Sequence, residues 1–144
     1  MIADEDAMDA FNIHSPSPDG QHTAHFVVAG EIRFGPLYFS LAVDIDSFGQ
    51  RIFGDVHLWS PTSKLLAVQE WLTTDYSEGP ITALVLIDCE RRREATLVRV
   101  TKGFVVPEAF EGSLIVYRKE FAEQASDQHF DQDIARIKEW RPLA

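Results

Sequence analysis

Two stretches of the chain echo each other at an offset of 43 to 44 residues. Ser17-Pro18 stands 16 residues ahead of Gly35-Pro36, and seven more residues lead to Asp44. Ser60-Pro61 stands 17 residues ahead of Gly79-Pro80, and again seven residues lead to Asp88. Ala24 and Ala67 fall at the same place after each Ser-Pro. A period of this length is that of one small antiparallel sheet. Proline and glycine preset the turns between its strands. The echo therefore constrains architecture before chemistry: short strands joined by tight turns, repeated.

The residues between the turns agree. From 22 to 121, runs rich in β-branched and aromatic residues are broken by Gly, Pro, Asp and Ser at roughly 8–12-residue spacing, the pattern of consecutive strands. The run 81–87 (ITALVLI) is almost continuously apolar, which predicts a central strand covered on both faces. Hydrophobic residues make up 45% of the chain, ten of them Phe, enough to build the core of one domain from all 144 residues. Residues 1–16 read as a partly ordered acidic lead-in, with Phe11 and Ile13 docking on the body, and 17–121 as the β repeats. Phe130, Ile134, Ile137 and Trp140 are spaced four, three and three residues, which predicts an amphipathic helix over 127–140. Ser126 or Asp127 would cap its start, Pro142 would follow its end, and Lys138 and Arg141 would suit its dipole.

Charge and cysteine usage narrow the function classes. With 23 acidic against 13 basic side chains, the net charge is -10, which repels nucleic acid and anionic membranes and steers basic partners inward. Cys89 is the sole cysteine, so no intramolecular disulfide holds the fold. It ends an apolar run and reads as a small buried hydrophobe. The N-terminal residues lack the basic and apolar regions of a signal peptide. No apolar run approaches the ~18 residues a spanning helix needs. The expectation is a cytoplasmic protein.

No motif names a reaction. His22 and His25 form an H-x-x-H pair, but on a strand they point to opposite faces, which separates them as metal ligands. His14 and His57 are isolated in sequence. Asp44 and Asp46 form a D-x-D at a strand end without the remaining ligands of a calcium loop, and read as a solvated turn. Arg91, Arg92 and Arg93, flanked by Glu90 and Glu94, read as a hairpin turn. Phosphate-loop, dinucleotide, nucleophile-elbow and zincin motifs are missing from the chain. The expectation is a protein without catalysis, cofactor or metal.

The string 56–71, VHLWSPTSKLLAVQEW, resembles the Trp-Ser-Pro element of TolB-like and WD40-like propeller repeats. The first copy supplies Ser17-Pro18-Asp19-Gly20; the second has Thr62-Ser63 in place of Asp-Gly. A degenerate third piece, 108–117, keeps only the aromatic and the return strand. Units of this length fit about three times, whereas a closed propeller needs four or more blades. The expected fold is therefore mainly β: an antiparallel, blade-like, two-layer sheet, open or sandwich-like, with one C-terminal α-helix, or a homodimer that closes the ring.

The small acidic domain, its blade-like elements and the segment Gly103-Phe104, Pro107, Phe110 also resemble immunity proteins of bacterial toxin systems. That resemblance implies a cytoplasmic antidote that occludes the active site of a cognate toxin or effector domain. The loop 71–78 combines Trp71 and Tyr76 with Asp75 and Glu78, the mixture of aromatic anchor and carboxylate that suits a basic partner. Trp71 itself reads as core. If the body were a simple meander, Asp46, Asp75 to Glu78, and Glu108 to Glu111 would share an acidic pole. The turns at Arg33 to Gly35, Lys64 and Arg91 to Arg93 would share a basic one. The partner-binding residues expected are thus Asp46, Asp75, Tyr76, Glu78, Glu108 and Glu111. The alternative is a small sandwich or barrel that holds an apolar ligand between its layers.

Overall fold

The pairs Ser17-Pro18, Gly35-Pro36, Ser60-Pro61 and Gly79-Pro80 each mark a chain reversal in the computed structural model, which describes residues 10–32, 35–75, 77, 79–121 and 127–143. Residues 1–9 of the lead-in, together with Arg33, Tyr76, Glu78 and Ser126, lie outside the described residues. The strands are β1 (Ile13–Pro16), β2 (Thr23–Glu31), β3 (Leu37–Val43), β4 (Asp46–Ser47), β5 (Ile52–Trp59), β6 (Leu65–Trp71), β7 (Ile81–Asp88), β8 (Arg93–Thr101), β9 (Gly103–Glu111), β10 (Leu114–Phe121), β11 (Gln128–Asp133) and β12 (Arg141–Pro142). Strands β1-β2-β3-β5-β6-β7-β8-β12 form one sheet, with β4 added beside β3; β11-β10-β9 form a second. All pairings are antiparallel and neither sheet closes into a barrel. The expected mainly β, antiparallel architecture is the one observed. The lead-in ends earlier than expected, because Ile13–Pro16 is already a strand on the edge of β2.

The 43-residue echo is a repeated three-stranded meander, β1–β3 and then β5–β7. The two Ser-Pro turns share one hydrogen-bond plan. Ser17 N–H donates to His22 O, Gly20 N–H to Ser17 O and His22 N–H to Ser17 Oγ. Correspondingly, Ser60 N–H donates to Leu65 O, Ser63 N–H to Ser60 O and Leu65 N–H to Ser60 Oγ. Both turns need a positive φ at the fourth residue: Gly20 supplies it freely at 74°, whereas Ser63 adopts 66° against its own Cβ. Ser63 is held there by a cross-copy contact, since its Oγ accepts from Asp19 N–H at 2.9 Å. The repeated turns therefore sit against each other.

That contact requires the long sheet to fold over. β5 pairs with β3 only at Phe39↔Phe53 and then leaves it, with a register shift against β6 between Phe53 and His57. Gly54 lies in this break. A Cβ there would collide with Gln69 Oε1 and Trp71 Nε1, so the close crossing depends on a residue without one. Beyond the break, the His57 ring packs tilted against Phe26 with ring centroids 4.7 Å apart, and Trp59 Nε1–H donates to Ser15 Oγ at 3.1 Å.

Folding over creates two cores that share β6 and β7. Leu66, Val68, Val85 and Ile87 face the first meander through Phe26, Phe39 and Leu41, with Phe53 of β5 in the same core. Ala67, Leu84 and Leu86 face the second sheet through Val105, Ile115 and Tyr117. Each core is a two-layer sandwich, and β7 is covered on both faces as its apolar run predicts. Two buried polar side chains fix β9 across the middle strands. Gln69 Nε2 donates to Val105 O at 2.9 Å while its Oε1 accepts from Trp71 Nε1 at 2.7 Å. Thr82 Oγ1 donates to Gly103 O and accepts from Val105 N–H.

The helix expected over 127–140 is not formed, and this is a correction. Gln128–Asp133 is strand β11 on the open edge of β10, Ile134–Arg136 is a 3-10 turn, and Arg141–Pro142 is strand β12 on β8. The four apolar residues behind the expectation do share a destination: Phe130, Ile134, Ile137 and Trp140 all pack on the second core. What overrides their helical spacing is the unpaired edge of β10, whose backbone groups gain ladder partners from β11. Asp127 makes no helix cap; it lies 3.6 Å from Arg118. Asp133 does cap, accepting from Ala135 N–H at the 3-10 turn.

Removing a buried polar pin should cost more than removing its area. Gln69→Leu and Thr82→Val are each expected to destabilise by about 1–3 kcal/mol, because Val105 O or N–H then loses its buried partner. The expected readout is a lower urea midpoint with an unchanged m-value.

Candidate functional site

Five turns from separate parts of the chain gather at one end of the molecule. The pairing Leu65↔Asp88 sets turn 60–64 beside turn 89–92, and Cys89 N–H donates to Lys64 O at 2.9 Å. The Asp19 to Ser63 bond adds turn 17–22. Arg92, held at φ 51°, forks onto Asp46 Oδ1 and Oδ2 and so ties down the β3–β4 hairpin with Asp44 and Ile45 at its tip. The β9–β10 turn, Gly112 and Ser113, lines a cavity with Ser60 and Pro61. Ile45 is 84% exposed at this end, the most exposed large apolar side chain among the described residues.

A groove runs between these turns and the C-terminal segment. Its apolar half, about 510 Å³, is lined by Pro61, Leu65, Phe110, Gly112 and Ile134 among others. Its charged half, about 450 Å³, adds Lys64, Asp88, Glu90, Arg91, Arg93, Ile137 and Trp140, and shares Thr62, Leu65, Ile134 and Ala135 with the first. Arg93 is fixed, bonding Asp88 Oδ2 at 3.1 Å with its guanidinium 4.2 Å from the Trp140 ring centroid. Lys64 lies 3.9 Å from Glu90. The exposed Arg91 guanidinium has no partner among the described residues, so the groove presents a positive charge on an acidic protein.

The expected partner-binding residues do not converge. Asp46 is 8% exposed and consumed by Arg92 instead of forming a solvated turn. Glu108 lies on the second sheet between His129 Nδ1 at 2.7 Å and Arg118 at 3.8 Å. Glu111 is exposed at the β9–β10 turn, at the groove end. Asp75 is exposed at the opposite end, where its Oδ1 accepts from Ser77 N–H. Tyr76 and Glu78 lie outside the described residues. The expected acidic and basic poles are therefore corrected: Asp46 and Glu111 share an end with Lys64 and Arg91, while Gly35 lies at the Asp75 end. The expected poles fail because the short strand β4 adds a reversal between β3 and β5, which puts the Asp46 turn and the Lys64 turn at the same end. Trp71 is buried core, as expected.

Sequence reasoning missed the groove because its C-terminal wall was assigned to a helix. It also missed a histidine pair. His14 lies directly opposite His25 across β1–β2, and their Nδ1 atoms are 2.6 Å apart. The signal was present: a hairpin centred on Asp19-Gly20 brings 14 and 25 into register. His22 is separate from them and bonds Asp44 Oδ2 at 2.7 Å.

Among the described residues the buried charges Asp46, Asp88 and Glu94 are all engaged. Arg51 donates to both oxygens of Glu70 and both of Glu94, between the rings of Phe48 and Phe53, and Arg141 closes on Glu94 at 3.1 Å. Burial works against the charged form of Glu94, but the hydrogen bonds and charge of Arg51, then Arg141, hold its carboxyl below the ordinary glutamate range. The Arg92 hydrogen bond likewise holds Asp46 low. Burial, followed by the charges of Asp44, Asp88 and Asp46, pushes the Cys89 thiol up to about 12. No group of three or more His, Cys, Asp or Glu converges for a metal among the described residues. No helix among them is long and apolar enough to cross a membrane. Comparison of the chain with protein-family models, curated proteins and solved structures finds no match.

Two outcomes follow from these environments. A carboxyl held low when folded stabilises above its unfolded pKa, and that stability is lost as pH falls through the folded value. The urea midpoint should therefore drop below about pH 4.5, the ordinary glutamate value, and drop less in Glu94→Gln, which has nothing there to protonate. Cys89 should resist a disulfide-exchange reagent at about pH 8 until denaturant is added, because the thiolate is the reactive form.

Proposed function

We propose that the protein is a non-catalytic binding protein, an antidote to one toxin or effector domain, that docks its partner on the five-turn end. The observation that carries this reading is the groove, which is open, apolar at one side and lined by charges of both signs at the other, at the same end as the exposed Ile45. An apolar centre with a polar rim is the anatomy of a protein interface. The net charge of -10 steers a basic partner toward the molecule, and Glu90 and Glu111 stand at this end to meet it. The turns are held by the Asp19 to Ser63 bond and the Arg92 to Asp46 fork, so docking orders little new backbone. The partner class, a toxin domain, comes from the sequence resemblance. The docking position in this reading rests on the groove rather than on Asp75 and the loop 71–78.

The apolar half favours one second reading, a small apolar ligand in the groove. The space between the layers themselves is filled by side chains of the two cores. A native mass spectrum of the purified protein with an added mass, lost in Ala135→Arg, would favour the ligand.

The test uses the protein encoded beside this chain's gene. Co-expression should relieve its toxicity, and the two should co-elute on size exclusion. Thr62→Arg with Ala135→Arg, both at exposed groove positions, should weaken binding about tenfold or more and abolish protection. Asp75→Lys should leave both intact. Loss with Asp75→Lys and not with the groove pair would move the interface to the opposite end; neither co-elution nor protection would sink the proposal.

A further inference from the structure

The open face of the first meander carries a feature unconnected with the groove. Ala24, Phe26 and Ile13 turn into the first core, so their strand neighbours His14 and His25 turn outward. His14 is exposed and His25 half-buried. Directly paired residues on one face of an antiparallel ladder bring their side chains together. Here the rings meet edge to face, with centroids 4.8 Å apart, and Nδ1 points at Nδ1 across 2.6 Å. That contact uses one proton between two nitrogens, so at least one imidazole is neutral and accepts.

We propose that His14 and His25 form a two-histidine site for a late first-row divalent cation, Cu²⁺ before Ni²⁺ and Zn²⁺. A cation between the rings would take the place of the proton that the two Nδ1 atoms share and draw on both Nδ1 lone pairs. A cation bound at roughly 2.0–2.1 Å to each nitrogen, with an angle between right and tetrahedral, needs the nitrogens roughly 2.9–3.4 Å apart. The rings have only to open by well under one ångström, which exposed side chains on fixed backbone accommodate. Imidazole nitrogen suits these metals, and their affinity at such a site peaks at copper.

The remaining coordination positions are open to water. His25 faces Ala42 across β3, and Val27 follows on the same face; neither ligates nor blocks. The other three of the five histidines are engaged elsewhere: His22 by Asp44, His57 by Ser15 and the Asp55 carbonyl, and His129 by Glu108. The acidic surface raises the local cation concentration. Two protein ligands and open positions make an exchangeable site, one that a donor group of another molecule could complete.

Titration of the full chain with CuCl₂, NiCl₂ and ZnCl₂ in separate calorimetric runs tests this. One equivalent of each should bind, copper most tightly. His14→Gln and His25→Gln should each lose about tenfold or more in affinity, and His22→Gln and His129→Gln should bind as the unchanged chain does. The Cu²⁺ electron paramagnetic resonance spectrum should show two coupled nitrogens, falling to one in His14→Gln. His14 lies on the edge strand, so that variant carries the test even if His25→Gln fails to fold. No binding, or binding and spectrum unchanged in His14→Gln, would overturn the site.

Discussion

Everything in this molecule is arranged around two strands that have no solvent face. β6 and β7 send alternate side chains into two different cores, and each core needs its own covering layer. A strand buried on both faces removes the most apolar surface from water per residue, but it stabilises only if two further sheets arrive. The first meander supplies one by folding over at Gly54. The second sheet supplies the other, pinned by Gln69 and Thr82 through hydrogen bonds that leave no choice of register for β9. The rest of the chain serves these two closures.

The fold-over also decides where charge and loops end up. It sets one Ser-Pro turn against the other and brings the β3–β4 hairpin to Arg92. Arg51, at the start of β5, bonds Glu70 on β6 and Glu94 on β8, and Arg141 on β12 joins Glu94. A single guanidinium thereby satisfies two carboxylates that would otherwise be costly to bury. The same movement that buries apolar surface on one side collects five turns at one end and leaves a groove there.

Much of the fold was legible in the residues, and for local reasons. Ser-Pro, Gly-Pro and Asp-Gly specify turns through φ and side-chain hydrogen bonds within five residues of each other. The run 81–87 announced a strand covered on both faces. The site was far less legible. Asp46 reads as a solvated acid until Arg92, 46 residues away, takes it; Glu108 reads as a loop carboxylate until Arg118 and His129 flank it. Phe130, Ile134, Ile137 and Trp140 kept their apolar destination but not their helix, because the edge of β10 offered backbone partners that no spacing rule anticipates.

The sequence by itself determined the strands, their turns, the repeat and the acidic surface, because each of these is set by neighbours along the chain. The tertiary structure alone decided which end each turn occupies, which carboxylates stay free, that the C-terminal segment becomes an edge strand and a groove wall, and that His14 meets His25. These depend on one close crossing at Gly54 and on the unsatisfied edges of two sheets, and both exist only after residues distant in the chain have come together.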